Sequence, residues 1–110
     1  MEKIMQRIAK SGGVLLIIDV EILDETKFLQ YVKGHLPSVA LYGGKIIFDS
    51  IKSKVLEGDW LPKTRLIIHQ WESEEKLMLW YNSSEYEPWK ELRFSAANVN
   101  ATICIQREFR

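Results

Sequence analysis

Three stretches of this chain are apolar without alternation: Val14 to Ile18, Ile46-Ile47-Phe48 and Leu66-Ile67-Ile68. A β-strand turns successive side chains to opposite faces, so a strand with one wet face alternates apolar and polar residues. These runs are apolar on both faces, and a sheet built from them needs a covering layer on each side. The helical patterns between them supply one layer. The other is expected from an identical chain packed sheet against sheet, as a homodimer. The alternative is a monomer whose second face is covered by an N-terminal extension and the long strand pair.

The elements follow from periodicity and punctuation. Residues 1–13 read as an extension, with Ile4, Met5 and Ile8 at helical spacing before Ser11-Gly12-Gly13 breaks the pattern; residues 14–110 form the domain. Val14 to Glu21 is a strand with Leu15, Ile17 and Asp19 on one face and Val14, Leu16, Ile18 and Val20 on the other. Asp24 is placed to cap a helix beginning at Glu25, whose buried stripe is Phe28, Tyr31, Val32, Leu36, Val39 and Ala40. Pro37 predicts a kink or restart, and Gly43-Gly44 the end. Lys45 to Leu56 reads as a long strand or bulged ribbon, and Glu57 to Pro62 as a turn into an antiparallel strand from Thr64 to Trp71. Ser73 caps a helix over Glu74 to Tyr81. Asn82-Ser83-Ser84 interrupts it, Pro88 opens a further helical stretch to about Ala97, and Thr102 to Arg107 is the last strand. The order β-α-β-β-α-β, with the second helical region broken in two, predicts an α+β, ferredoxin-like domain with a four-stranded antiparallel sheet.

Composition removes several function classes. Fifteen basic and fifteen acidic side chains cancel, so nothing in the total draws in a polyanion. Ferredoxin-like RNA-binding sheets expose aromatics on the central strands; Val14 to Val20 has none, and Arg65 to Trp71 lacks the basic-glycine-aromatic signature. No nucleic-acid partner is expected. Cys104 is the only cysteine, which excludes an internal disulfide and fits a cytoplasmic location. Val14 to Ile18 is too short for a membrane span and meets Asp19 at once, and no signal peptide or anchor is read before it. His35, His69 and Cys104 are far apart in sequence, so no metal is expected. Gly12-Gly13 and Gly43-Gly44 fit no nucleotide fingerprint, no G-x-S-x-G elbow is present, and no cofactor is implied.

Taken in order, Ile18-Asp19-Val20-Glu21 with Asp24, Tyr42-Gly43-Gly44, Leu56-Glu57-Gly58-Asp59-Trp60, Trp80-Tyr81, Ser84-Glu85-Tyr86 and Arg93 resemble domain-of-unknown-function family 1330, over about Val14 to Arg107. That resemblance implies a dimeric α+β barrel, in which two ferredoxin-like sheets pack face to face. The wider superfamily includes cofactor-free monooxygenases, isomerases, haem-degrading enzymes and proteins without known activity, so the likeness carries no single reaction. Two positions depart from the family pattern: Asp49 stands where an arginine is frequent, and Gln70 where a glutamate is common. The charge pattern of any family pocket is altered accordingly.

Five residues are candidates for a ligand site: Asp19, Trp60, His69, Tyr86 and Arg93. Trp80, Tyr81, Tyr86 and Arg93 could wall a flat or anionic small molecule between helices and sheet, or simply fill the core. His69, on one face with Ile67 and Trp71, suits acid–base work or a hydrogen-bonded core position. Asp19 interrupts an apolar strand and marks either a polar pocket or a strand end at solvent; it and His69 are each expected to find a partner or reach water. Trp60 packs down as a lid beside the Gly58 turn, or gates a pocket. Arg93 needs a carboxylate, an aromatic face or a bound anion to offset its desolvation. The expected function is a dimeric protein binding a small aromatic or anionic metabolite, with cofactor-free monooxygenase- or isomerase-like chemistry; the alternative is a non-enzymatic structural or interaction dimer.

Overall fold

Strand alternation decides which side chains meet the helices. The computed structural model describes residues 13–60, 63 and 65–106, so the N-terminal extension, apart from Gly13, lies outside the described residues. Strand β1 (Val14–Ile22) turns Val14, Leu16, Ile18 and Val20 into the core. Asp24 then caps helix α1 (Glu25–Leu41), its Oδ1 accepting the Lys27 N–H at 3.0 Å.

The inward face of α1 is Phe28, Tyr31, His35, Ser38 and Val39. Leu36 and Ala40, expected in that stripe, are exposed, because steps of three and four residues from Tyr31 lead to His35 and Ser38. The helix continues through Pro37 without the expected restart. Pro37 lies on the exposed side near the end of the helix, so its missing N–H removes one late rung of the hydrogen-bond ladder. Gly43, at φ 86°, ends the turn that follows.

Strand β2 (Lys45–Ser50) is bulged between Ile46 and Phe48 and stops at Ser50, short of the expected Leu56. The Ser50 hydroxyl closes a local turn, accepting the Lys52 N–H at 3.1 Å and donating to the Lys52 carbonyl at 2.7 Å. Strand β3 (Arg65–Trp71), helix α2 (Glu74–Tyr81) capped by Ser73, and helix α3 (Glu87–Ala96) with Pro88 in its first turn follow as expected. Strand β4 (Ala97–Gln106) begins directly at the end of α3, earlier than the expected Thr102, because Ala97 to Val99 already pair with Ile22 to Val20.

The four strands form one antiparallel sheet in the order β2-β3-β1-β4, the ferredoxin-like arrangement, in an α+β fold. The helices lie on the face that carries the buried residues of β1 and β3. At Gly34 the backbone of α1 meets the Trp89 ring of α3, where an added Cβ would collide with the ring carbons. The opposite face carries Leu15, Ile17, Leu66 and Ile68, half-buried, with Phe48, Ile103 and Ile105 exposed, Phe48 at 59%. No described element covers that face.

Candidate functional site

Where α1, α3 and the sheet converge, the core is not wholly apolar. A cavity of about 20 Å3, the room of one or two water molecules, is lined by Tyr31 and His35 of α1, Asp49 of β2, His69 of β3 and Arg93 of α3, with Phe28, Ile18 and Ile67 among its apolar walls. A wider groove of about 580 Å3 lies beside it, lined by Ile22, Glu25, Thr26, Leu29, Ile51 and Arg65, and Phe28 belongs to both.

Arg93 is only 3% exposed. Its Nη1 donates to the Tyr86 hydroxyl at 3.0 Å, and the Tyr86 and Tyr31 hydroxyls share a hydrogen bond of 2.8 Å. Its Nε is enclosed with no partner, and no described carboxylate forms a salt bridge with it. Burial alone would drive the guanidinium toward neutrality, but the oxygens of Tyr86, Tyr31 and Tyr81 outweigh it and leave its pKa raised. Burial likewise raises the pKa of both Tyr31 and Tyr86, so these phenols stay protonated.

The two histidines are neutral. His35 Nδ1 lies 2.9 Å from the Tyr31 carbonyl and 3.0 Å from the Val32 carbonyl. Both neighbours only accept, so Nδ1 carries the hydrogen and Nε2 keeps a lone pair. Burial lowers the His35 pKa, against those two carbonyls, and the Arg93 charge pushes the same way as burial. His69, 1% exposed, is lowered to about 4 by burial and by His35, and its Nδ1 has no hydrogen-bond partner. The expectation that His69 would find a partner or reach water fails at Nδ1, which is enclosed beside Ile67 and Trp71, whose side chains offer no acceptor. The ring centroids of His35 and His69 are 6.3 Å apart.

Trp80 stacks on Tyr86 with centroids 4.0 Å apart and donates its indole N–H to Ser38 Oγ at 3.0 Å. These two rings are core and form the back wall of the cluster. Tyr81 takes the Lys90 ammonium over its face at 4.5 Å.

The five candidates thus fall on two sides of the sheet. His69 and Arg93 line the cavity, whereas Tyr86, expected to line it with Arg93, lies behind it, stacked on Trp80 and bonded to the two lining residues Tyr31 and Arg93. Asp19 points to the other face, fully buried, and accepts three hydrogen bonds: from Trp60 Nε1 at 2.9 Å, the Lys63 N–H at 2.8 Å and Asn100 Nδ2 at 2.6 Å. Burial would raise its pKa, but the three donors hold the carboxyl below its ordinary value. A register shift of β4 against Asp19 and Val20 brings Asn100 to it. Trp60, 47% exposed, is tied down to Asp19 and lines neither the cavity nor the groove.

Tyr31 and His35 were not among the candidates. Tyr31 carries the right signal for an inward position, and His35 follows it at the next helical turn, but only the facing strand and α3 show that they line a cavity. Asp49, the residue that departs from the family pattern, forms a two-pronged ion pair with Arg65 at 2.7 and 2.6 Å. Among the described residues no group of three or more His, Cys, Asp or Glu side chains is placed to hold a metal ion, and no helix is long and apolar enough to cross a membrane.

A family model described as a domain of unknown function, DUF1330, matches residues 13–106. Among solved structures, the chain is similar to a protein of unknown function from Rhodopseudomonas palustris, with a TM-score of 0.72 and 14% identity over 100% of this chain and 95% of that one. It is also similar to HapK from Hahella chejuensis, with a TM-score of 0.62 and 9% identity over 86% and 92% of the two chains. A hypothetical protein from Arabidopsis thaliana gives a TM-score of 0.62 and 14% identity over 90% and 91%. At such identities the likeness concerns the fold alone. No curated protein matches the chain.

Proposed function

Since the chain belongs to the DUF1330 family, whose description assigns no activity, its function has to be read from its own site, and we propose that it binds a small anionic metabolite at Arg93. One observation carries this reading: a charged guanidinium, 3% exposed, has an enclosed Nε without a partner and faces a cavity flanked by two neutral imidazoles. A buried cation without a carboxylate is expensive; the Tyr86 hydroxyl and the Phe94 ring, whose centroid is 5.1 Å from the guanidinium carbon, offset part of that cost, and a bound anion is the chemistry that would offset the rest. The adjoining groove offers room for the body of the ligand, with Phe28 between the two spaces.

The same groups suit proton abstraction without a cofactor. A neutral His69 or His35 can take a proton from a carbon beside the anionic group while Arg93 and the Tyr31 hydroxyl stabilise the charge left behind. That step begins isomerisation, and it also begins cofactor-free monooxygenation. We place the working form as a homodimer of the dimeric α+β barrel kind, with the apolar outer face of the sheet covered by a second copy.

The size of the inner cavity favours a second reading, a non-enzymatic dimer whose polar cluster only braces the core, since ligand pockets are commonly several hundred Å3. A thermal-shift screen of small carboxylates against the wild type and Arg93→Ala separates them. Ligand binding predicts stabilisation of the wild type by at least one carboxylate and none in the variant. The bracing role predicts no response in either, and a large drop in melting temperature on substitution.

A further inference from the structure

We propose that Trp60 is an anchor of the contact between two copies of the chain, held at the border of the open sheet face by Asp19, which acts as a positioning residue for assembly. This rests on the homodimer proposed above and goes one step further, to a side chain outside the sheet that the second copy needs.

The open face of the sheet sets that need. Phe48, Ile68, Ile17 and Ile103 form one row across the four strands, and Leu15 and Ile105 pair in a neighbouring row. In the other direction the apolar patch ends at the row of Leu66, Asp19 and Ala101, beyond which Asn98 donates to Glu21 at 3.3 Å. The row from Phe48 to Ile103 carries no charge for a foreign partner to read, and it matches a copy of itself about a two-fold axis. Four strands about 4.8 Å apart, with about 3.3 Å per residue along the 7 residues of β3, give a footprint on the order of 450 Å2, where a standard interface takes about 800 Å2 from each partner. The sheet face alone is therefore small for a stable pair. Side chains beside it have to contribute.

Trp60 is placed to do so. Its indole N–H meets Asp19 Oδ2 at 2.9 Å, which sets the ring on the outer side of the sheet, at the row where the apolar patch ends. Asp19 is 0% exposed while Trp60 is 47% exposed, so the ring helps to seal the carboxylate and still presents half of itself to a partner. The Lys63 N–H and Asn100 Nδ2 hold the same carboxylate, which fixes the point from which the ring is held. A broad aromatic side chain fixed before association loses little freedom when it is buried, and Trp is among the residues most enriched at the energetic centres of interfaces. The same segment carries Leu56, which its own chain leaves 83% exposed.

The test uses the full chain. The dissociation constant of the dimer is measured by sedimentation on dilution for the wild type, Trp60→Ala, Asp19→Asn and the double variant. Trp60→Ala should raise it by about tenfold or more, as loss of an anchor does. Asp19→Asn should raise it too, and should add little once Trp60 is replaced, because the carboxylate acts through the ring. A second measurement needs no variant. Hydroxyl-radical labelling of the wild type, read by mass spectrometry, should fall at Trp60 between dilute monomer and concentrated dimer, while Phe94, 55% exposed on α3, labels equally in both. A wild-type dimer whose constant changes by less than about tenfold in Trp60→Ala overturns the inference and leaves the homodimer standing. Equal labelling of Trp60 in the two states does the same. An undiminished effect of Asp19→Asn in the Trp60→Ala background overturns the positioning role of Asp19. A wild type that stays monomeric at the highest concentration overturns the homodimer and this inference together. Where a variant does not fold, labelling of the wild type decides.

Discussion

Besides the Asp49 carboxylate, which is paired with Arg65, the cavity is lined by the Arg93 guanidinium and two imidazoles that stay neutral, and these three have measurable signatures. Arg93→Ala removes the charge together with its bond to Tyr86; as a purely structural change it should cost about 2–4 kcal/mol, read by chemical denaturation. A loss well under that range, with carboxylate binding abolished, marks Arg93 as a ligand group. His69 supplies a pH signature. Its folded pKa of about 4 lies below the ordinary 6.5, so the unfolded chain takes up a proton that the folded chain refuses. Stability should therefore fall as pH drops from 6.5 toward 4, by up to about 3 kcal/mol from this residue. His69→Gln should flatten that slope, leaving the smaller share of the same sign that belongs to His35. A slope unchanged in the variant would rule out His69 as its source.

Arg93, Tyr86 and His69 were legible in the sequence because each is a polar or aromatic residue at an inward position. Asp19 carried an identical signal yet lies on the other face. Strand parity within β1 and β3 is plain, but how the two parities match depends on register, and the register opposes Asp19 to Leu66 rather than placing it beside His69.

Among elements, the one whose role is newest is the segment between β2 and β3. Asp19 gathers Trp60, Lys63 and Asn100, and so fastens this segment and the irregular part of β4 to the central strand. Asp19→Ala should cost about 2–4 kcal/mol and leave the segment free. Limited trypsin digestion checks this: cleavage at Lys52, Lys54 or Lys63 should become much faster in the variant while cleavage within the helices does not. Equal digestion rates would mean that the carboxylate holds nothing. At the start of α1, Asp24→Ala should cost about 1 kcal/mol through its lost cap. The helix starts were readable because a capping side chain acts within its own turn of chain. The end of β2 and the start of β4 were not, since a strand extends as far as its partner does, and partners of β4 lie near the other end of the sequence.

At the scale of the molecule, the apolar outer face of the sheet is the observation behind the proposed homodimer. Light scattering should give about twice the monomer mass, 12.9 kDa. Replacing Ile103 by Glu, exposed on that face in the edge strand β4, should yield a folded monomer; a wild type already monomeric at micromolar concentration would remove the face-to-face arrangement. The sheet order has a further consequence, one of time. Of the described elements β1 is made first and lies inside the sheet, yet both strands that flank it, β3 and β4, are made after it, and β4 is the last of them. On the ribosome β1 must wait unpaired while the β2–β3 ribbon forms, and its second edge stays open until residue 106 has emerged. Strand β1, with its unbroken apolar run, is therefore the segment that chaperones should meet on the nascent chain.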